Sequence, residues 1–374
     1  MRVVGIDLGT TNSVAAIDGV ALQHASGSET STVLPSIVAF PPSGAVLVGA
    51  TAKKRRAIDP KNTLYSAKRL MGQRWLSSAT SRFRKHYPFE LIETSGGGVA
   101  FRTRSGALTP VEVGARVVTK LFSGQQSLLA NVMGVVTVPA SFSDEARRAT
   151  LRAVQETGIA RAHVIEEPVA TALAYATTTA RASSLALVYD LGGGTFDLAV
   201  LEHTADGARV IRHAGDAYLG GDDIDRALAD WVAGEVLAAH GWDLRGDPEV
   251  YERLLVQVER AKIQLGRVAS VRIELAQVDP AAPAAAHSAL LTREKLTELA
   301  MPFVRQTFAL TDEVLRDAGV TASRIEGIYL AGGATQLACV REGLAGYFGR
   351  LPRCDFDPME VVAVGASLFR AEAA

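Results

Sequence analysis

Cysteine is nearly absent. Cys339 and Cys354 are the two among 374 residues, and they lack any Cys-x-x-Cys spacing, so neither a zinc site nor a disulfide framework is implied. The seven histidines show no metal-ligand spacing either. Neither sign of charge is in excess. The formal net charge is −1, which argues against nucleic acid or an anionic membrane as the main partner. No apolar run approaches the roughly 18 residues that a transmembrane helix needs, and Asp7 interrupts any signal-peptide core near Met1. A cytoplasmic location is therefore expected. Disorder is set aside by 48% hydrophobic against 21% charged residues. Also missing are Gly-x-x-x-x-Gly-Lys-Ser/Thr and a Gly-x-Gly-x-x-Gly after a strand, which removes the P-loop and dinucleotide-binding folds.

What is present is a repeat. Val3–Ile6 and Val14–Ile17 flank Asp7-Leu8-Gly9-Thr10-Thr11-Asn12, the pattern of a hairpin with a Gly-containing turn. About half the chain later, Leu185–Tyr189 and Phe196–Leu201 flank Asp190-Leu191-Gly192-Gly193-Gly194-Thr195. Related chemistry at half the chain length points to a duplicated lobe rather than a solenoid. Gly327–Leu330 leads into a third Gly-rich turn, Ala331-Gly332-Gly333-Ala334-Thr335, and then an expected helix over Gln336–Phe348. Helices are also expected from Ser143 to Thr157, over Pro168–Ala176, over 222–240 and 248–265, and over Glu294–Ala318 with an irregularity at Pro302. Val271–Val278 alternates as a strand should, 280–286 reads as a loop, and Ser36–Gly49 and Phe89–Arg104 are strand-rich. The basic run Lys53-Lys54-Arg55-Arg56 is expected to be a solvated helix face.

The turns carry chemistry. A Gly-rich turn after a strand lets backbone N–H groups approach an anion that a Cβ would block. Gly9-Thr10-Thr11-Asn12 and Gly192-Gly193-Gly194-Thr195 would grip a polyphosphate from two sides. Asp7 and Asp190 hold equivalent places in the two turns, and carboxylates facing a phosphate call for a cation between them. Mg²⁺ fits, acting mainly through its waters. A single such hairpin is often no more than a tight turn; the duplicated pair carries the inference.

The motifs Gly5–Ser13, Asn62–Gly72, Val136–Ala140, Glu167-Pro168 with Ala172–Tyr175, Tyr189–Asp197 and Leu219–Asp225 occur in order. Together they resemble the nucleotide-binding domain of the seventy-kilodalton heat-shock chaperones, within the actin-like ATPase superfamily, from residue 2 to about residue 370. Lys68–Gly72, Leu219–Asp225 and Phe348-Gly349-Arg350 are similar to the branch specialised for iron–sulfur cluster assembly. The resemblance implies an α/β fold of two ribonuclease-H-like lobes around a nucleotide cleft. The lobes would span 1–184, with an insertion at about 38–108, and 185–374, with an insertion at about 226–306. The ligands implied are ATP or ADP with Mg²⁺.

By the same resemblance, Lys68 holds the attacking water and stabilises charge on the γ-phosphate, Glu167 orients water, and Asp197 is the proton acceptor. Thr195 and Thr10 touch phosphate, with Thr11 beside them, and Gly220, Gly221, Gly332 and Gly333 belong to the nucleotide site. Glu259 and Lys262, three apart on one helix face, are placed to reach a ribose. Pro139 and Arg147 match a pair that relays nucleotide state between lobes. Plainer readings stand beside each. Lys68 could be a surface lysine next to Arg69, Glu167 a dipole-favoured helix start, Pro139 a strand end, and Glu259–Lys262 a surface ion pair.

Departures from the family pattern cluster away from the phosphates. Gly266 replaces a pocket serine, Gln336 replaces the arginine that stacks on adenine, and Asp357-Pro358-Met359 replaces Asn-Pro-Asp. A guanidinium over a ring contributes about 0.5–2 kcal/mol, so base affinity is expected to fall roughly tenfold without being abolished. His163 and Glu166 stand where the family has the arginine and asparagine that receive a J-domain co-chaperone, which weakens that partner; a nucleotide-exchange factor is the other partner implied. The sequence ends at Arg370-Ala371-Glu372-Ala373-Ala374, so a linker and peptide groove are not expected within it. The function implied is slow Mg²⁺-dependent ATP hydrolysis supporting protein folding or assembly. The alternative is a nucleotide-sensing module with little turnover. An actin-like filament would leave Lys68 and Leu219–Asp225 without purpose.

Overall fold

The computed structural model describes residues 2–26, 29–125, 132–178, 184–204, 207–283 and 288–370. Residues 284–286 of the expected loop and the terminal Ala371–Ala374 lie outside that range. Five strands form the path of the first sheet: β1 (Arg2–Leu8), β2 (Asn12–Ile17), β3 (Val20–Ala21), β4 (Val132–Val138) and β5 (Arg161–Glu166), in the order β5-β4-β1-β2-β3. β1 and β2 are the expected hairpin, and β4 returns parallel to β1 with Thr137 opposite Asp7. β4 reads Val-Met-Gly-Val-Val-Thr-Val and is buried at every position, as a parallel strand covered on both faces must be.

The second sheet repeats the plan. β6 (Leu185–Leu191) and β7 (Phe196–Thr204) form the hairpin, β8 (Gly207–Asp216) lies at its edge, and β9 (Ile325–Ala331) returns parallel to β6. The order is β8-β7-β6-β9.

Eight helices serve these sheets: α1 (Pro110–Leu121), α2 (Asp144–Gln155), α3 (Glu167–Ala176), α4 (Gly221–His240), α5 (Pro248–Leu265), α6 (Arg293–Ala318), α7 (Ala338–Phe348) and α8 (Val361–Ser367). Ser143 caps α2 by accepting from the Ala146 N–H, as its sequence position suggests. Three expectations shift. α6 continues through Pro302 as one helix of 26 residues. The Gly333–Gln336 segment is a 3₁₀ turn that precedes α7. The strand expected over Val271–Val278 ends at Glu274 and gives way to a 3₁₀ turn over Leu275–Gln277, which buries Leu275 and Val278 in the second-half core.

Each sheet has its own core, and a third core joins them. Val14 and Val135 of the first sheet and Val188 and Ala199 of the second share that junction with α3 and α8. α3 is Ala-rich because it is squeezed. A Cβ on Gly365 of α8 would stand 1.7 Å from the Ala170 carbonyl oxygen, and one on Gly5 of β1 would stand 2.2 Å from that of Ala363. The last helix of the second half thus lies directly on the first strand of the chain. Gly365→Ala is expected to cost about 3 kcal/mol, the upper end of overpacking. It should be read as a lower urea midpoint with an unchanged slope; a loss below about 0.5 kcal/mol would show that α3 and α8 part easily.

Candidate functional site

The two Asp-Leu-Gly turns meet face to face between the sheets. A Cβ on Gly193 would stand 2.2 Å from Thr11 Oγ1, and one on Gly194 would stand 2.7 Å from Thr10 Cγ2. Only glycine allows that approach. The Gly192 N–H donates to the Thr195 carbonyl at 2.9 Å, which closes the second turn. Behind it, the Gly221 and Asp222 N–H groups at the start of α4 donate to the Gly192 and Gly193 carbonyls at 3.0 and 2.6 Å. Gly220 and Gly221 therefore brace the second turn rather than line the cleft. Gly332 takes φ +81°, and a Cβ there would stand 2.5 Å from Asp190 Oδ1, so the third turn presses on the second Asp.

The cleft between the turns is lined by Asp7, Thr10, Lys68, Glu167, Asp190 and Thr195, together with the glycines, Thr11, Asn12 and, at one end, Met359. Its volume is about 70 Å³, far below the roughly 300 Å³ at which small-molecule pockets begin. As it stands the cleft is too small for a ligand of nucleotide size. A larger cavity of about 1000 Å³ lies elsewhere, beside α1 and α2. Its Arg148 is paired with Glu145 at 3.0 Å on an exposed surface.

Lys68 is the single cation among the described residues lining the cleft. It sits in a 3₁₀ turn, Ala67–Leu70, that follows Ser66 in the left-handed region at φ 56°. The turn aims Lys68 inward. It is 7% exposed, and its Nζ lies 2.7 Å from Glu167 Oε1. The surface-lysine reading is thereby excluded. Glu167 opens α3 and is 5% exposed, so it both starts the helix and faces the cleft. Asp190 and Asp197 lie directly opposite each other across β6 and β7.

One ammonium thus faces the carboxyls of Asp7, Glu167, Asp190 and Asp197. Burial pushes Asp7 up to about 7, with Glu167 adding to the rise against Lys68 and a Thr137 hydrogen bond. Burial, then Glu167 and Asp7, raise Asp190 well above the carboxylate range. Burial, then Glu167 and Asp190, do the same to Asp197, opposed by Lys68 and a Ser141 hydrogen bond. Burial works against the Lys68 ammonium, yet Glu167 and Asp7 outweigh it and hold its pKa above the ordinary lysine value. Like charges brought together out of water favour protons or a cation. Among the described residues no three carboxylates converge closely enough to ligate a metal directly. An all-oxygen set held apart suits Mg²⁺, which keeps several of its waters.

The remaining expected residues are dispersed. Lys262 Nζ donates to Asp225 Oδ2 at 2.8 Å and to the Gly221 carbonyl at 2.9 Å. Glu259 accepts instead from Lys53 at 2.6 Å, so the two do not pair with each other. Gln336 is exposed and does not line the cleft, whereas Met359 packs within 3.6 Å of the position a Gly333 Cβ would take. Pro139 follows β4, and Arg147 binds the Ala140 and Phe142 carbonyls and Glu166 Oε1, the last at 2.8 Å.

The basic run is not a solvated face. Its helix is only Ala50–Lys53, and beyond it Arg56 reaches across the cleft. Arg56 Nε donates to Glu252 Oε2 at 2.9 Å, and the Tyr65 hydroxyl donates to the same carboxylate at 2.9 Å. Nothing in the sequence singles out Glu252, and Tyr65 stands there only as part of the Asn62–Gly72 motif, because their pairing spans the chain. Arg69 was legible only as the neighbour of Lys68, yet its Nη2 donates to the Gly194 carbonyl across the cleft.

The Asp7 value sets a pH window. Its folded pKa of about 7 exceeds the ordinary 3.8, so between these values the folded chain keeps a proton that the unfolded chain has released. Stability therefore falls as pH rises through that interval. Thermal melting without divalent cation is expected to occur at a lower temperature at about pH 8 than at about pH 5, and added Mg²⁺ should reduce the difference. An equal or higher melting point at the upper pH would contradict the shared burial of these carboxyls.

No helix among the described residues is long and apolar enough to cross a membrane. A model of the Hsp70 protein family matches residues 3–371, which takes in both turns, Lys68, Glu167 and the third turn. Two hairpin-plus-parallel-strand sheets closing on one cleft are the actin-like ATPase fold of that family, whose members are ATP-binding, ATP-hydrolysing proteins of chaperone type. The chain belongs to the Hsp70 family.

Proposed function

We propose that this chain is a Mg²⁺-dependent, slow ATPase module whose lobes, 1–184 and 185–374, close on ATP and loosen on ADP. The observation that supports this most directly is the buried Lys68–Glu167 pair at 2.7 Å between the two Asp turns. With ATP in the cleft, Thr10 and Thr195 hydroxyls and the turn N–H groups hold the phosphates. Lys68 positions the attacking water and offsets charge that grows on the γ-phosphoryl oxygens. Water oxygen bonds to the γ-phosphorus as the bond to the β,γ-bridging oxygen breaks. The water proton passes to Asp197, whose carboxyl is held protonated by burial and like charge and would be freed to accept when a bound cation relieves that charge. Bound Mg²⁺, held through water by Asp7 and Asp190, would neutralise the β- and γ-phosphate oxygens.

Single-turnover hydrolysis tests these roles. Lys68→Ala and Thr195→Ala are expected to retain nucleotide while slowing cleavage about a hundredfold or more. If neither changes the cleavage rate, the roles are misassigned.

Nucleotide exchange then depends on the contacts across the open end of the cleft. Besides Arg56–Glu252 and Lys53–Glu259, Arg226 donates to the His86 carbonyl at 3.0 Å. Glu252→Gln leaves the Arg56 guanidinium without its counter-charge in a partly buried site. Release of a fluorescent ADP, followed by stopped flow, is expected to quicken about tenfold, equivalent to about 1.4 kcal/mol. Unchanged release would place the exchange barrier elsewhere.

A further inference from the structure

Beside the cleft lies a second cavity of about 220 Å³ that the proposed hydrolysis does not use. The two share Thr10, Lys68 and Thr195 as a common wall. From that wall the cleft runs toward Gly332, Gly333 and Met359, while the second chamber runs toward Ala79, Ala217 and Tyr218.

Their electrostatics differ. The cleft has Asp7, Glu167 and Asp190 in its walls. No carboxylate is among the described residues lining the chamber, which instead presents Lys68, Arg69, the Gln73 amide and the hydroxyl of Ser141. Lys68 is balanced by Glu167 on the cleft side, so Arg69 is the chamber's cation without a carboxylate beside it in the chamber lining, an environment that suits an anion.

Arg69 supplies the second observation. It is 8% exposed, and its Nη2 donates to the Gly194 carbonyl, but its buried Nε–H has no partner among the described residues. A buried guanidinium N–H left unmatched is costly and rare in a folded protein. Arg69 lines the chamber, so an anion there would stand beside this under-partnered guanidinium.

The chamber also has a door. Tyr218, from the second half, lies between two first-half guanidinium groups, with Arg69 Cζ at 4.3 Å and Arg82 Cζ at 4.0 Å from its ring centre. Its hydroxyl donates to the Ala79 carbonyl at 3.0 Å. The outer wall is therefore made by contact between the halves and opens when they part.

We propose that this chamber is an orthophosphate site, with Arg69 as a ligand and Tyr218 as its door. It receives the product at the Lys68 wall and releases it on the side away from the third turn. The proposal rests on the hydrolysis reading above for the source of the phosphate, whereas the binding site itself does not.

Two measurements on the full chain test it. Calorimetric titration of orthophosphate into the Mg-ADP-loaded protein is expected to show one site. Arg69→Leu should weaken that site about tenfold or more, and Arg69→Lys should recover part of the loss. Separately, Ala217→Phe narrows the mouth without touching the common wall. Acid-quench cleavage should stay unchanged, while a fluorescent phosphate sensor should report release slowed about tenfold. Orthophosphate binding that is absent, or indifferent to Arg69→Leu, overturns the site. Release that keeps pace with cleavage in Ala217→Phe overturns the exit route. If acid quench detects no cleavage in the wild type, the hydrolysis reading fails, and the titration still decides the chamber.

Discussion

One ammonium among four carboxyls governs this molecule. Lys68 comes from a short 3₁₀ turn, Asp7 from the first strand, Glu167 from the start of α3, and Asp190 and Asp197 from opposite positions on the second hairpin. These groups meet only because two sheets close on one another, and burial makes their mutual repulsion expensive. A cation with its waters would relieve that repulsion, and a polyphosphate gripped by the turns would balance the cation in turn. The same frustration accounts for the raised Asp7, Asp190 and Asp197 values and for a lysine that stays protonated although buried.

The two ends of the interface between the halves are built from different materials. At the hinge, α3 and α8 are packed through small residues so closely that Gly365 has no room for a methyl group. Close apolar packing resists sliding and does not exchange partners with water. At the open end the contacts are ionic and aromatic: Arg56 with Glu252 and Tyr65, Lys53 with Glu259, Tyr218 between Arg69 and Arg82. Parting the halves would return both members of each pair to water together, so that neither charge is left buried alone. The interface is thus tightly packed and apolar at one end and ionic at the other.

The end of the cleft beside the third turn and the end between the Asp-Leu-Gly turns are built differently. Met359 presents a polarizable thioether beside Gly333, a contact that adapts to many flat partners. Gln336 faces solvent. The two Asp-Leu-Gly turns, by contrast, meet so closely that the side chains of Thr11, Thr10 and Arg69 lie against Gly193 and Gly194.

The repeat of Asp-Leu-Gly turns, the hairpins around them, the helix caps and the α/β class were all legible in the sequence, because each depends on neighbours a few residues apart. The Ser143 cap and the pairing of β1 with β2 follow from local chemistry alone. The family resemblance extended this to Lys68 and Glu167, which are far apart in the chain. Where the reading failed, the cause was long-range pairing. A run of four basic residues looks the same whether it faces water or a carboxylate contributed by a helix some 200 residues later, as Arg56 does with Glu252 at 2.9 Å. Lys262 and Glu259 share a helix face, but the plainer reading of them as an ion pair with each other gives way to tertiary partners, Asp225 and Lys53. The chamber behind Lys68 has no sequence signature, since its walls come from both halves. Short-range geometry is written in adjacent residues; which charges end up facing one another is decided only when the two sheets close.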